Sequence, residues 1–97
     1  MITIHKYELS TERFQTLDVH AGAGLPLALF VVNDAGQYPT PTVWFCVDDT
    51  APIVKRDIFC IRDGEDSSHL IRQADHIASV ALPPSGVVLH YFAKRFL

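Results

Sequence analysis

The chain has 97 residues, of which 48% are hydrophobic and 20% are charged, and it carries a formal net charge of −3 with a pI near 5.9. This length and a mean hydropathy of +0.17 predict one folded domain over residues 1–97 and exclude both a disordered chain and two domains. The net negative charge provides no positive potential that would attract nucleic acid or anionic lipid. The longest apolar run, at 25–32, is far shorter than the roughly 20 residues of a membrane span. We therefore expect neither nucleic acid nor membrane as a partner.

Short apolar blocks separated by Gly, Pro and Asp predict an all-β chain. The first strand is ITIHKYEL at 2–9. The second is TLDVH at 16–20, where Leu17 and Val19 share one face. The run LALFVVN at 27–33 is continuously apolar, which is typical of a central strand buried on both faces.

Turn residues connect the strands that follow. NDAGQ at 33–37 leads into the fourth strand, TVWFCVD at 42–48, and predicts a hairpin between the third and fourth strands. DTAP at 49–52 then turns the chain into the fifth strand, VKRDIFCIRD at 54–63.

The most polar segment is GEDSSHLIRQAD at 64–75, which we predict to be a long loop with at most one short helical turn, capped by Asp66 or Ser67. The strands HIASVAL at 76–82 and VVLHYFA at 87–93 form a closing hairpin around a PPSG turn. The fold class is therefore an all-β, seven-stranded antiparallel sandwich or flattened barrel.

Alternating apolar residues of the strands are the core candidates, although a period of two identifies faces and not neighbouring strands. The candidates are Leu17, Val19, Leu29, Val31, Phe45, Val47, Phe59, Ile61, Val80, Leu82, Val88 and Phe92.

Cys46 and Cys60 are the two cysteines of the chain. If 42–48 and 54–63 form an antiparallel hairpin, Cys46 lies near the level of residues 58–60, and the two thiols are close. A disulfide is disfavoured because intracellular thiols stay reduced and directly opposed strand cysteines strain the disulfide geometry. Since apolar residues flank both cysteines, we predict two free thiols buried in the core.

The sequence contains no recognisable metal or catalytic motif. The five histidines show no HxxxH spacing, and His69 and His76 are the nearest approach to a ligand pair. Either cysteine would need His5 or His90 as a base, but catalytic cysteines are typically found at partly exposed positions such as helix starts. The acidic residues between 48 and 66 match turn chemistry better than a carboxylate site. We therefore predict no catalytic, cofactor-binding or metal-binding residue and no cofactor.

The chain ends in HYFAKRFL, with Phe96 and Leu97 where termini are usually polar. These two residues pack either on the domain or on a partner. Trp44 is likewise either a core residue or an interface anchor.

Four motifs of the chain stand out together: I-x-K-Y-x-L at 4–9, V-x-A-G-A at 19–23, WFCVDDTAP at 44–52 and VLHYF at 88–92. In this combination they resemble a family of small, uncharacterised phage and prophage proteins. The chain departs from the family pattern at RDGEDSS (62–68), where a Gly-Thr-Gly-His-like turn is expected, and has an insertion at QYPTP (37–41). The resemblance implies a viral origin and an all-β fold, and it supplies no functional residues.

The resemblance and the lack of a catalytic constellation favour a protein that is not an enzyme. We expect a phage-encoded accessory protein that binds a host or defence protein in the host cytoplasm. The alternative is a virion component, such as a decoration or connector subunit, that forms a homo-oligomer. A small enzyme of unknown chemistry is the third hypothesis. The expected protein-contact residues are Arg62, Asp63, Glu65, Asp66, His69, Arg72, Trp44, Phe96 and Leu97.

Overall fold

The computed structural model describes residues 1–24, 26–32, 40–70, 72–83 and 85–95. Within these ranges the chain is an all-β sandwich, as predicted, with a single 3-10 turn, η1 (Ser68–Leu70), as its helical structure. The predicted turn at 33–37 and the terminal Phe96 and Leu97 lie outside the described residues. The described part of the chain has no helix of the length and hydrophobicity that a membrane crossing requires.

All seven predicted strands are present, and their ends differ from the predicted ends by no more than two residues. They are β1 (Ile2–Glu8), β2 (Phe14–His20), β3 (Ala28–Val32), β4 (Thr40–Asp48), β5 (Ile53–Arg62), β6 (Ala74–Leu82) and β7 (Val87–Lys94).

The strands form two antiparallel sheets. The small sheet has the order β1-β4-β3 and the large sheet has the order β2-β5-β7-β6. The predicted hairpins β3–β4 and β6–β7 are confirmed. The suggested pairing of β4 with β5 is wrong, because β4 is flanked by β1 and β3 while β5 is flanked by β2 and β7. The predicted central position of β3 is also wrong, since β4 occupies the centre of the small sheet and β3 lies at its edge.

The main core lies between the two sheets. Leu29, Phe45 and Val47 are buried there as predicted, and Val19 on β2 is also fully buried. Leu17, Val80 and Leu82 are partly buried against this core. The side chain of Val31 lies outside the described ones. The buried members of the core are Leu9, Ala23, Leu29, Val43, Phe45, Val47, Ile58, Cys60, Leu89, Tyr91 and Ala93.

The faces of β5 differ from the prediction. Phe59 and Ile61 were predicted core residues; Ile61 is buried and Phe59 partly buried, but both lie on the outer side of the large sheet. Ile58 and Cys60 occupy the side between the sheets and are fully buried. The alternation could not decide between the two faces because both are apolar.

β7 shows the same reversal, with Leu89 and Tyr91 between the sheets in place of Val88 and Phe92. The outer side of the large sheet is covered because the segment between β5 and β6 folds over it and buries Leu70. The resulting outer cluster consists of Phe59, Ile61, Leu70, Ala74 and Phe92.

The two cysteines lie in different sheets and both are free. Cys60 is buried in the core as predicted, whereas Cys46 is exposed on the outer side of β4. The prediction that both are core residues is therefore wrong for Cys46. Its neighbours Phe45 and Val47 take the inward positions, which leaves the residue between them facing out.

The loop prediction for 64–75 is confirmed in outline. The backbone N–H of Ser68 donates to Oδ1 of Asp66 at 2.9 Å, which caps η1 as expected. This hydrogen bond is the main reason that the pKa of the Asp66 carboxyl is lowered.

Candidate functional site

The outer face of the small sheet exposes apolar side chains. Ile2 and Ile4 on β1 are 65% and 59% exposed, and the register places Cys46 opposite Ile4. Trp44, which the sequence singled out, is partly buried on the same face, two residues before Cys46. We call this surface the small-sheet face; its residues are Ile2, Ile4, Lys6, Glu8, Ala28, Thr42, Trp44, Cys46 and Asp48.

The orientation of β1 is the reverse of a usual sandwich strand. Its half-buried side carries Thr3, His5 and Tyr7, while its two isoleucines point outward. A half-exposed strand normally places its apolar residues inside and its polar residues outside. Packing against the core therefore does not explain why β1 places its two isoleucines on the outer side.

The small-sheet face also has three charged side chains: Lys6 and Glu8 on β1, and Asp48 on β4 opposite Ile2. Lys6 and Glu8 are both exposed, and neither forms an ion pair with another residue in the described ranges. In the register, Lys6 lies opposite Trp44 and Glu8 lies opposite Thr42. This face thus combines an apolar centre with Lys6 and Glu8 toward one end and Asp48 at the other.

A chain of hydrogen bonds crosses the outer face of the large sheet. Nε2 of His90 lies 2.6 Å from Oδ1 of Asp63, at the end of β5. Nδ1 of the same ring lies 2.6 Å from the Ser79 hydroxyl, and Nε2 of His76 lies 2.9 Å from that hydroxyl on its other side. We call these four residues the relay.

The chemistry of the groups fixes the direction of these bonds for a neutral His90. An ionised carboxylate only accepts, so Nε2 of His90 donates to Asp63. Nδ1 is then unprotonated and accepts the proton of the Ser79 hydroxyl. The Ser79 oxygen in turn accepts from Nε2–H of His76. Every donor in the relay therefore has an acceptor, and the Ser79 hydroxyl directs its proton toward the His90 imidazole.

A β-bulge in β6 makes this arrangement possible. In a regular strand, His76 and Ser79 would lie on opposite faces, since side chains alternate with a period of two. The pairing with β7 shifts between His76 and Ala78, and both Ile77 and Ala78 pack toward the core. The extra residue brings His76 and Ser79 to the same face, as bulges do when they redirect a side chain.

A cleft of about 200 Å³ borders the other side of His90. Ile61 and Phe92 form its apolar wall, and Asp63 and Glu65 lie at its polar side. The His90 side chain is 29% exposed and that of Asp63 is 78% exposed, so solvent reaches the relay.

The charged residues expected to contact a protein are bound largely within the domain. The backbone N–H of Arg62 donates to Oε1 of Glu65 at 2.6 Å, and Glu65 also pairs with Arg13. The first of these bonds is the main reason that the pKa of the Glu65 carboxyl is lowered. Asp63 belongs to the relay. A protein-contact role for these residues stays a prediction.

The ring of His69 and the backbone of Arg72 also contact the domain, whereas residue Arg72 is exposed. The His69 ring packs edge-on against Phe59, and the Arg72 carbonyl accepts a hydrogen bond from Arg95 at 3.2 Å. Trp44 lies apart from the loop residues, on the other sheet. The predicted contact residues that the structure describes therefore lie on two separate surfaces, while Phe96 and Leu97 lie outside the described residues.

Sequence reasoning did not single out Ser79. It considered His90 as a base for a cysteine, but Cys60 faces the core and His90 lies on the outer side of the same sheet. The cross-strand pairing of Ser79 with His90 depends on the register of β6 and β7, which the bulge shifts. Within the described ranges, no group of three or more His, Cys, Asp or Glu side chains has the arrangement of a metal site.

No curated protein and no solved structure matches the chain. A family model described as a domain of unknown function, DUF7352, matches residues 1–96. The resemblance to an uncharacterised family is confirmed in this general form: the chain belongs to the DUF7352 family.

Proposed function

We propose that this domain is a phage-encoded accessory protein that acts by protein–protein binding, and that the small-sheet face is its contact surface. The observation that supports the proposal is the outward orientation of Ile2 and Ile4 beside Trp44 and Cys46. Exposed apolar surface of this kind marks interaction sites in stable domains. Tryptophan is among the residues that most often dominate binding energy.

The charges on this face define the chemistry of the partner. Covering the face removes Lys6 and Glu8 from water, which costs free energy unless each meets an opposite charge or a hydrogen-bonding group. The partner surface is therefore apolar at its centre, with a carboxylate for Lys6 and a donor for Glu8.

The size of the face favours a different protein over a second copy of this chain. Three strands of this length cover roughly 350 Å², from a rise of about 3.3 Å per residue and a strand spacing of about 4.8 Å. A stable interface buries about 800 Å² on each partner. A flat dimer through this face alone falls short, whereas a larger partner also contacts the flanking segments. The resemblance to phage and prophage proteins supports a host or defence protein, encountered in the host cytoplasm.

The test compares two substitutions at exposed isoleucines. Ile4 is 59% exposed on the small-sheet face, and Ile53 is 56% exposed at the start of β5 on the large sheet. Tagged wild type, Ile4→Glu and Ile53→Glu are purified from infected cells, after thermal unfolding has shown that both variants fold. We expect a protein that co-purifies with the wild type and with Ile53→Glu, and that is lost with Ile4→Glu. If every co-purifying protein binds Ile4→Glu as well as the wild type, the proposal is wrong.

The same experiment distinguishes a host-protein partner from the virion alternative. A decoration or connector subunit would co-purify with capsid or tail proteins, or would self-assemble at high concentration. Sedimentation of the purified chain measures the second case. Assembly of the purified chain that Ile4→Glu abolishes would replace the host-protein partner with a second copy.

A further inference from the structure

We propose that Ser79 is a nucleophile activated by His90 and oriented through Asp63, and that it accepts the acyl group of small activated esters. This inference goes beyond protein binding and is independent of it, because the relay lies on the large sheet and the small-sheet face on the other. The proposed nucleophile is a serine and neither of the two cysteines.

The hydrogen bonds provide the parts that a serine nucleophile requires. A serine hydroxyl is a weak nucleophile until a base within hydrogen-bonding reach accepts its proton, and a third group usually orients that base. Ser79 and His90 face each other directly across β6 and β7, with their polar atoms 2.6 Å apart. Asp63 holds the opposite ring nitrogen at the same distance. The order of hydroxyl, imidazole and carboxylate is that of serine hydrolases, with the two ring nitrogens exchanged.

The proposed step transfers an acyl group and a proton. The Ser79 oxygen forms a bond to the carbonyl carbon of the ester, while Nδ1 of His90 accepts the hydroxyl proton. The tetrahedral adduct then expels the alcohol or phenol, which leaves with its bonding pair and takes the proton from His90. A water molecule later cleaves the acyl-serine by the same path, releasing the carboxylic acid and restoring Ser79.

His76 donates a second hydrogen bond to the Ser79 oxygen. Its Nε2 lies 2.9 Å from that oxygen, which is the attacking atom. Donors that speed acyl transfer are aimed at the carbonyl oxygen of the ester, where the oxyanion develops, and this bond does not supply one. Because an acyl-serine has a poorer leaving group than an activated ester, we expect acylation to be faster than complete turnover, and the acyl-serine to accumulate.

The position of Ser79 limits the substrate. Its side chain is exposed on a strand surface, and the neighbouring cleft lies on the Asp63 side of His90. The acyl group therefore has an open approach from solvent. Small acyl groups with good leaving groups suit such a surface.

The experiment uses the full chain and p-nitrophenyl acetate at neutral pH. Acetylated residues are located by peptide mapping with mass spectrometry, because Cys46 is also exposed and reacts with this ester. The variants are Ser79→Ala, His90→Gln and Asp63→Asn. Ser85→Ala is the matched control, since Ser85 is an exposed serine in the β6–β7 turn and has no imidazole partner among its hydrogen bonds in the described residues.

We expect acetylation at Ser79, and a rate at this residue about 100-fold lower in His90→Gln, which is the lower end of the usual contribution of a general base. Ser85→Ala leaves the rate unchanged. Acetylation of Ser79 that is no faster than that of Ser85, or equally fast in folded His90→Gln, overturns the proposal.

Asp63 is a positioning residue, and its role has a separate spectroscopic test. Nitrogen chemical shifts of the His90 ring report which nitrogen carries the proton. We expect the Nε2–H tautomer in the wild type and a mixture in Asp63→Asn, because an amide can either donate or accept. An unchanged tautomer in Asp63→Asn, together with an unchanged acetylation rate, would remove Asp63 from the relay.

Discussion

Tyr91 donates its phenolic proton to the carbonyl oxygen of Ser10 across 2.9 Å, although the two residues are 81 positions apart in the chain. Tyr91 is fully buried on β7 of the large sheet, and Ser10 lies in the connection between β1 and β2. The bond therefore joins the large sheet to the segment through which the chain crosses from the small sheet.

Removing this hydroxyl should destabilise the fold. Tyr91→Phe removes one of two hydrogen bonds to the Ser10 carbonyl, which also accepts from Nε2 of Gln15 at 3.0 Å. The loss of this bond lowers the free energy of unfolding by about 0.5–1.5 kcal/mol. Urea unfolding measures the change. Tyr7→Phe is the control, because the Tyr7 hydroxyl makes no hydrogen bond within the described residues, and it should cost clearly less. Equal losses in the two variants would show that the Ser10 bond contributes nothing.

The same tyrosine predicts a loss of stability at alkaline pH. Burial raises the pKa of Tyr91 above its ordinary value of about 10. Above that pH the unfolded chain releases the phenolic proton while the folded protein retains it, so the stabilisation present below about pH 10 falls as the pH rises further. Melting temperatures between pH 8 and about 11 should fall more steeply for the wild type than for Tyr91→Phe. Parallel pH profiles would contradict this.

The two thiols should differ in reactivity. Cys46 is exposed, whereas Cys60 is buried and its thiol pKa is raised by that burial. Because the thiolate is the reactive form, a thiol reagent should modify Cys46 in the native protein and reach Cys60 only after denaturation. A colorimetric thiol assay, followed by peptide mapping, measures this. Equal rates at both cysteines in native protein would contradict the placement of Cys60 in the core.

The register of β5 predicts a contrast between two isoleucines. Ile58 is fully buried between the sheets, whereas Ile53 is 56% exposed on the same strand. Ile58→Ala should lower the free energy of unfolding by about 2–5 kcal/mol, as truncations in a packed core do. Ile53→Ala should change it by less than about 0.5 kcal/mol. Similar values in urea unfolding would mean that β5 faces the core with its other side.

The strands could be predicted because Gly, Pro and Asp mark their ends, as in the DTAP turn at 49–52. Their faces were predictable where polar and apolar residues alternate, as around Val19 on β2. They were not predictable on β5, where Phe59 and Cys60 are both apolar and the choice depends on the loop that covers the outer side.

Neither candidate surface could be assembled from the sequence alone. Period-two patterns do not identify neighbouring strands, so Ile4 could not be placed beside Cys46. The relay joins Asp63, Ser79 and His90 from the end of β5 and from β6 and β7, in a register shifted by a bulge. Trp44 is the residue of the small-sheet face that the sequence did indicate, through its side chain type.

Cys46 offers the most direct measurement of whether a partner covers the small-sheet face, because it lies opposite Ile4 at the centre of that face. The alkylation rate of Cys46 is compared in the free protein and in the complex with a purified partner that Ile4→Glu does not bind. With free partner at about ten times its Kd, we expect alkylation to slow about tenfold. The control is Ile53→Cys combined with Cys46→Ser, in which the introduced thiol lies on the large sheet and should react at the same rate with and without partner. A Cys46 rate that the partner leaves unchanged would contradict the account.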